Sequence, residues 1–398
     1  MREERRARLS ALFETCYLVM VGVVALMAFN YSTMSGIVFP AWLHRGVLLL
    51  TALIAVGRYL TAEKLDPRQA AAALAVVVLF YIAGKNANQR LGELALLIVG
   101  ARGIRFEKIL KVHLICIFSA LVVTIVLSLT GVIENLIYAR VREGGDTVYF
   151  RNSFGIASPT DFGAHVFFAA CSYAWLRARR ISWAELAVVF AAALWLYHLS
   201  DARCDVACLV LLAAGLAYVK VRRLQAQKRG KTYRMARGAS FALAGAAVGA
   251  ALLSLLAAFL YTEDSPAMVW LNRLLTKRLE LSHEAVTRYP VTLLGQIVKM
   301  NGWGGDTAFH DGYFWIDCSY LYTLLLYGAI VLAIVVAIQT AAGFRQRKLG
   351  NWERLGILAL VAVQCMVEHH LTEIGYNPFL LLAFALCVPE PEEPPETA

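Results

Sequence analysis

Apolar runs of roughly 17–25 residues recur along this 398-residue chain, the length a helix needs to cross the hydrocarbon core of a bilayer. Inside lipid every backbone N–H and C=O must be paired within the protein, which leaves helices or a closed barrel. Barrel strands are short and alternate apolar with polar residues, whereas these runs are long and continuous. The expected fold class is therefore an all-α polytopic membrane protein of about 12 transmembrane helices, in one integral-membrane domain over 1–390. The expected spans are 11–29, 46–60, 69–83, 89–103, 109–130, 159–176, 182–198, 204–220, 239–260, 318–340, 355–369 and 375–388. The fourth is short enough to be a half-span or an interfacial helix. No cleavable signal peptide is expected, because the first run follows MREERRARLS and reads as an uncleaved first span.

A net charge of +10 raises the question of a nucleic-acid partner, but the basic residues fall mostly in short loops between spans. With the N-terminus inside, 25 of the 38 Lys and Arg residues lie on the inner side and 12 outside, with Arg58 near an inner end. That asymmetry is the footprint of membrane topology, so nucleic acid is not an expected partner. Both termini are then cytoplasmic, and 391–398 reads as an acidic, proline-rich disordered tail. Two substantial extracytoplasmic loops follow, 131–158 and 261–317, the larger lying between spans nine and ten. The larger holds helix pieces, a GWGG stretch and the aromatic run GYFWID, and is expected to cap the membrane surface. The eight cysteines show no CxxC and no disulfide-like spacing, so they read as small membrane-tolerant residues. In span nine, Gly245 and Gly249 form a GxxxG spacing that predicts close approach of a neighbouring helix.

The polar stretch RVREGGDTVYFRNSFGIASPTDFG carries Arg140, Arg142 and Arg151 between two apolar runs. Arg203 opens span eight, and Arg278 and Arg288 lie in the large loop. Arginine at a helix centre costs about 2.5–3.5 kcal/mol on insertion scales, so such residues pair or serve a ligand. A diphosphate at a lipid headgroup suits several guanidinium forks. Snorkelling, or pairing with Asp201, Asp205 or Glu280, is the plainer alternative. Asp317, where the large loop re-enters the membrane, is either a proton acceptor for a sugar hydroxyl or the N-cap of span ten. His283, His310, His369 and His370 all fall outside, and adjacent histidines on a helix point about 100° apart, so His369 and His370 are not expected to share a metal. There is no HExxH, Walker, GxGxxG or DxD motif, and neither a metal site nor a cofactor is expected.

Several segments are similar to a known family. RNSFGIASPTDFG resembles the RxSFGxxHPNxxG segment of bacterial Wzy-type polysaccharide polymerases, members of the O-antigen ligase and polymerase-like superfamily. NRLLTKRLELSHEAVTRYPVTLLGQ, WIDCSYLYTLLLYG and EHHLTEIGYNPFLLL resemble later segments of that family, in its order, across residues 151–382. LSDARCDVACLVLL resembles its TxSR segment. The chain departs from the pattern at Ser158-Pro159-Thr160, where the family has His-Pro-Asn, at Thr276-Lys277, where it has Ser-Gly, and at Cys318, where it has Asn. In the related ligases a catalytic histidine stands in a His-Asn-x9-Gly frame, which Asp317, Cys318 and Gly328 occupy here.

The resemblance implies a glycosyltransferase of GT-C-like architecture in the bacterial cytoplasmic membrane, acting at its outer face without metal or nucleotide. It would join undecaprenyl-diphosphate-linked repeat units into capsular polysaccharide or exopolysaccharide, and a chain-length regulator is a candidate partner. Asp317 would assist the acceptor hydroxyl. Arg151, Arg203 and Arg278, with Arg140 and Arg288, would hold the donor diphosphate, and Ser153, Tyr320, Glu368, His369 and Tyr376 would line the substrate cavity. Two alternatives stay open: an O-antigen-type ligase, and a transporter or flippase of lipid-linked glycans.

Overall fold

Fifteen helices and one small hairpin make up the described part of the chain, which in this computed structural model covers residues 2–27, 29, 32–33, 41–61, 67–87, 90–141, 148–302 and 312–388. The first five helices are α1 (Arg2–Leu26), α2 (Ala41–Thr61), α3 (Pro67–Ala87), α4 (Arg90–Gly100) and α5 (Phe106–Leu129). A hairpin of β1 (Ile137–Val141) and β2 (Val148–Asn152) leads into α6 (Pro159–Arg177), α7 (Trp183–Ser200) and α8 (Arg203–Gln227). Then come α9 (Arg237–Ala244), α10 (Ala246–Leu260), α11 (Pro266–Leu274) and α12 (Arg278–Arg288). The last three are α13 (Ser319–Tyr322), α14 (Ala329–Leu349) and α15 (Trp352–Gln364).

Seven helices, α1, α2, α3, α5, α7, α8 and α14, are long and apolar enough to cross a membrane, and α9 with α10, bent by 60°, makes an eighth. The chain is a polytopic helical membrane protein. Residues such as Leu53, Val56, Phe118, Val123 and Leu253 stay exposed along these helices, forming the apolar exterior that lipid requires.

Four of the twelve expected crossings take another form. α4 has 11 residues and α15 has 13. The 375–388 stretch holds only a 3-10 turn, Phe379–Ala383. α6 is 19 residues long, but its Asp161 and His165 leave it outside the set apolar enough to span. Each is largely buried within the protein. Near one end of each segment Arg90, Pro159, Glu368 and Tyr376 all border one large cavity. Near their other ends Arg58 Nε donates to Gly100 O (3.0 Å), Arg179 to Gly350 O (3.5 Å), Trp352 Nε1 to Tyr233 O (3.2 Å) and Leu386 N to Ile104 O (2.7 Å). Residues Leu91 to Gly100 of α4 are all buried. A helix apolar on every side suits a protein core as well as lipid, and the sequence pattern alone does not separate the two.

Span ten is interrupted. α13 passes through a π-helical turn, Thr323–Tyr327, and stops at Gly328, whose φ is +94°, before α14 begins. Residues 292–296 of the large loop fill the break. Ala329 N donates to Thr292 O (2.9 Å), Ile330 N to Leu293 O (3.2 Å) and Gln296 N to Leu326 O (3.2 Å). Glycine is needed on both sides of this seam. A Cβ on Gly295 (φ +83°) would overlap the Leu326 carbonyl, and one on Gly328 would overlap that of Leu293. The large loop is therefore stitched into the membrane domain as well as lying over it.

The expected close approach at Gly245 and Gly249 is not made there. Gly245 marks the bend between α9 and α10, and nothing lies within 4 Å of a Cβ placed on Gly249. The tight approach is at Gly343 instead, where a Cβ would sit 2.7 Å from Ala244 O. All eight cysteines are free thiols. Arg142, His310, residues 303–305 of the GWGG stretch and the tail at 391–398 lie outside the described residues.

Gly328→Ala is expected to lower stability by about 1–3 kcal/mol through backbone strain, and further through the overlap with Leu293. Gly131→Ala, at φ +73° with open space around it, is the comparison for a positive-φ glycine outside the seam. Thermal unfolding in detergent compares the two, and a Gly328→Ala loss no larger than that of Gly131→Ala would mean that the seam contributes nothing.

Candidate functional site

One cavity of about 1500 Å³ opens where the hairpin, the N-terminal ends of α4, α6, α8 and α12, and the segments around Asp317 and 368–376 converge. Of the residues singled out from the sequence, Arg140, Arg151, Arg203, Arg278, Asp317, Glu368, His369 and Tyr376 line it. Ser153, Tyr320 and Arg288 do not. Ser153 is fully buried and its Oγ donates to Leu136 O (2.9 Å), which braces the turn after β2. Tyr320 is fully buried with its hydroxyl on Ala362 O (2.9 Å). Arg288 pairs with Glu284 and lies 4.9 Å over the Phe314 ring.

Strand alternation explains the arginines of the hairpin. Tyr138 pairs with Arg151 and Arg140 with Tyr149, which puts the four on one face, and Tyr138, Arg140 and Arg151 line the cavity. Ile137 and Phe150 fall on the other face, exposed. β2 ends in a tight turn with Phe154 at φ 49° and Gly155 at φ 83°, so the SFG sequence is a left-handed corner. Arg151 donates from Nε to Ser200 O (3.0 Å). Burial, and then the neighbouring charge of Arg140, pull its pKa down to about 10. It remains a cation at neutral pH, held close to Arg140 and Arg278, an arrangement that an anion would relieve.

Asp201, Arg203 and Asp205 do not form one cluster. Arg203 Nε pairs with Asp201 Oδ1 (3.1 Å). Asp205 is fully buried one turn on, where its Oδ1 accepts from Gln364 Nε2 (3.2 Å).

The centre of the site is Arg278. Its Nε lies 3.1 Å from Asp317 Oδ2 and its Nη1 2.8 Å from Glu368 Oε1, and Nη1 also donates to Val367 O. Burial opposes the charge, but Glu368 and then Asp317 outweigh it and hold the guanidinium pKa well above its ordinary value. The alternative of Asp317 as a helix cap does not hold. The residue capping α13 is Cys318, without a side-chain bond, and Asp317 turns to Arg278. Ser319 ties the two carboxylate segments together. Its N donates to Cys365 O (2.9 Å), its Oγ donates to Glu368 O, and the same Oγ accepts from Leu371 N (3.1 Å). Thr276 and Lys277, just before Arg278, both have positive φ (59° and 68°).

Two residues of the site had not been singled out from the sequence, Asp161 and Glu373, and a third, His370, had been set aside as a metal ligand. Ser158 caps α6 by accepting from Asp161 N (3.1 Å), and the Asp161 carboxylate lies 3.5 Å from His370 Nε2. His370 Nδ1 meets Glu373 Oε2 at 3.2 Å, and its ring stacks on Tyr376 at 3.7 Å. Burial works against an imidazolium here, but Asp161 and Glu373 prevail and lift the His370 pKa to about 10. The helical argument that set His369 and His370 apart fails, because α15 ends at Gln364 and the rings lie 4.2 Å apart in a turn. Asp161, His369 and His370 present donor atoms within 4.8 Å of one another, and so do Asp317, Glu368 and His369. Asp161 sits inside the DFG end of the first motif and His370 and Glu373 inside EHHLTEIGYN, but nothing in their spacing ties them together across some 200 residues.

Compared with known proteins, the chain matches no family model, no curated protein and no solved structure. Acidic residues in the cavity wall outnumber lysines and arginines, so the cavity is not a uniformly cationic basin. Its hairpin side carries two arginines, while its 368–373 side is acidic.

Arg278→Met strands the buried carboxylate of Glu368 and the half-buried one of Asp317 and is expected to destabilise the protein by about 3–5 kcal/mol. Adding Asp317→Asn and Glu368→Gln in the same chain should recover part of that loss, as read by thermal unfolding in detergent. Simple additivity of the three substitutions would show that no coupled trio exists.

Proposed function

We propose that the chain is a membrane glycosyltransferase that polymerises undecaprenyl-diphosphate-linked repeat units, in the manner of the Wzy-type polymerases its motifs resemble. The observation that carries the reading is the meeting of Arg140, Arg151, Arg203, Arg278, Asp317 and Glu368, from segments far apart in sequence, around one cavity large enough for oligosaccharide. The resemblance also has a backbone counterpart. The SFG and LLYG glycines, Gly155 and Gly328, both take left-handed φ, and Lys277 keeps that conformation where the family has glycine.

In the reaction proposed, the acceptor hydroxyl oxygen bonds to the donor's anomeric carbon. The bond from that carbon to the diphosphate oxygen breaks, and the lipid diphosphate leaves with the electron pair. The hydroxyl proton passes to Asp317 or Glu368. Arg140, Arg151 and Arg203 neutralise the departing diphosphate, a task for pre-placed cations in a site of restricted water. Arg278, already shared between two carboxylates, acts mainly as their positioning residue. No step calls for a metal. The basic end opposite the cavity would face the cytoplasm and the cavity the outside.

Asp317→Asn, Glu368→Gln and Arg151→Ala are each expected to leave inserted protein and to reduce chain growth by at least about 100-fold, the range for loss of an acid–base or charge-stabilising group. Arg288→Ala should extend normally. Purified protein with a defined lipid-linked unit gives a product ladder for a polymerase and a single transfer for a ligase. The breaks at Gly245 and Gly328 favour a second reading, transport of lipid-linked glycan, since interrupted helices line the sites of many transporters. Lipid movement in liposomes without glycan growth would select it.

A further inference from the structure

Asp161, which nothing in the sequence marked, and the two histidines set apart there, His369 and His370, are arranged as metal ligands. Asp161, His369 and His370 each offer a donor atom within 4.8 Å of the other two. An ion with bonds of about 2 Å needs its donors roughly 3–3.5 Å apart, so small side-chain rotations close the set. His370 is 1% exposed, and its Nε2 has no hydrogen-bond partner at 3.5 Å from Asp161 Oδ1. Its other nitrogen, Nδ1, is engaged by Glu373 Oε2 at 3.2 Å. A carboxylate on one imidazole nitrogen with the other nitrogen aimed at a second acidic ligand is the carboxylate–histidine–metal arrangement. Stacking of the His370 ring on Tyr376 at 3.7 Å and 16° fixes its direction. His369 Nδ1 is likewise buried without a partner.

The neighbouring set, Asp317, Glu368 and His369, already has its cation in the guanidinium of Arg278. Among the described residues neither Asp161 nor Glu373 makes an ion pair with an arginine or lysine; the groups facing them are the imidazoles of His370 and, 3.8 Å from Glu373, of His369.

We propose that Asp161, His369 and His370 bind one zinc-class divalent cation in the cavity wall, with Glu373 orienting His370. The mixed imidazole and carboxylate donors suit zinc rather than magnesium or calcium. Zinc displaces the His370 proton to solvent and joins the start of α6 to the turn that carries Glu368. Its work is to set the position of that turn, and it takes no part in glycosyl transfer as proposed above. The inference stands or falls apart from that reading, because binding needs no substrate.

The test is zinc uptake by the full-length protein in detergent, by equilibrium dialysis against zinc chloride, with X-ray absorption at the zinc edge. One ion per chain is expected, with nitrogen and oxygen neighbours near 2.0–2.1 Å. His370→Ala and Asp161→Ala should abolish the uptake, and Glu373→Gln should weaken it by 10–100-fold. Arg288→Ala should bind as wild type. Absence of uptake by wild type would mean that a proton is the only occupant and would overturn the proposal. So would sulfur neighbours near 2.3 Å, which would place the ion on the free cysteines. The absorption spectrum of the wild type decides the matter even if the variants do not fold.

Discussion

A buried guanidinium shared between two carboxylates, one buried and one half-buried, is the interaction around which this molecule closes. Arg278 comes from the large loop, Asp317 from the return of that loop to the membrane, and Glu368 from the turn after α15. None of the three would be tolerable in its place alone, since a buried charge without a partner is costly. Together they pin the loop to the C-terminal turn, and Ser319 repeats the attachment through backbone groups. These attachments and the hairpin together line the cavity.

Charge within the cavity is sorted by element. Arginines project from the hairpin because strand alternation sends them inward, and acids gather where the chain after α15 turns without helical order. The acids of the cavity are thus answered in two ways, by Arg278 at one cluster and by the imidazole of His370 at the other. The aromatic rings of Tyr376 and His165, stacked at 3.9 Å, back the second cluster and limit its movement.

Much of this was legible in the sequence, because hydropathy reports where backbone must be helical. The long crossings α1, α2, α3, α5, α7, α8 and α14 stand where the apolar runs put them. The short α4 and α15 were over-read as spans, since residues surrounded by protein look like residues surrounded by lipid. Arg151, Arg278 and Asp317 stood out as charges in or beside the expected outer loops, and Glu368 through the motif EHHLTEIGYN. That Arg278 spends its charge on Asp317 and Glu368 could not, because ion pairs across 39 and 90 residues leave no periodic trace. Asp161 and Glu373 were hidden for the same reason. The histidines were also assigned to a helix that ends at Gln364.

The seam between residues 292–296 and the start of α14 bears on how such proteins can be recombined. A chimaera that exchanged the 261–317 segment alone would import a strand-like edge without its matching groove, and would lose the register that the two glycines permit. The transferable cassette must extend through Ile330, so that donor and host meet inside a continuous helix instead of across a hydrogen-bonded joint.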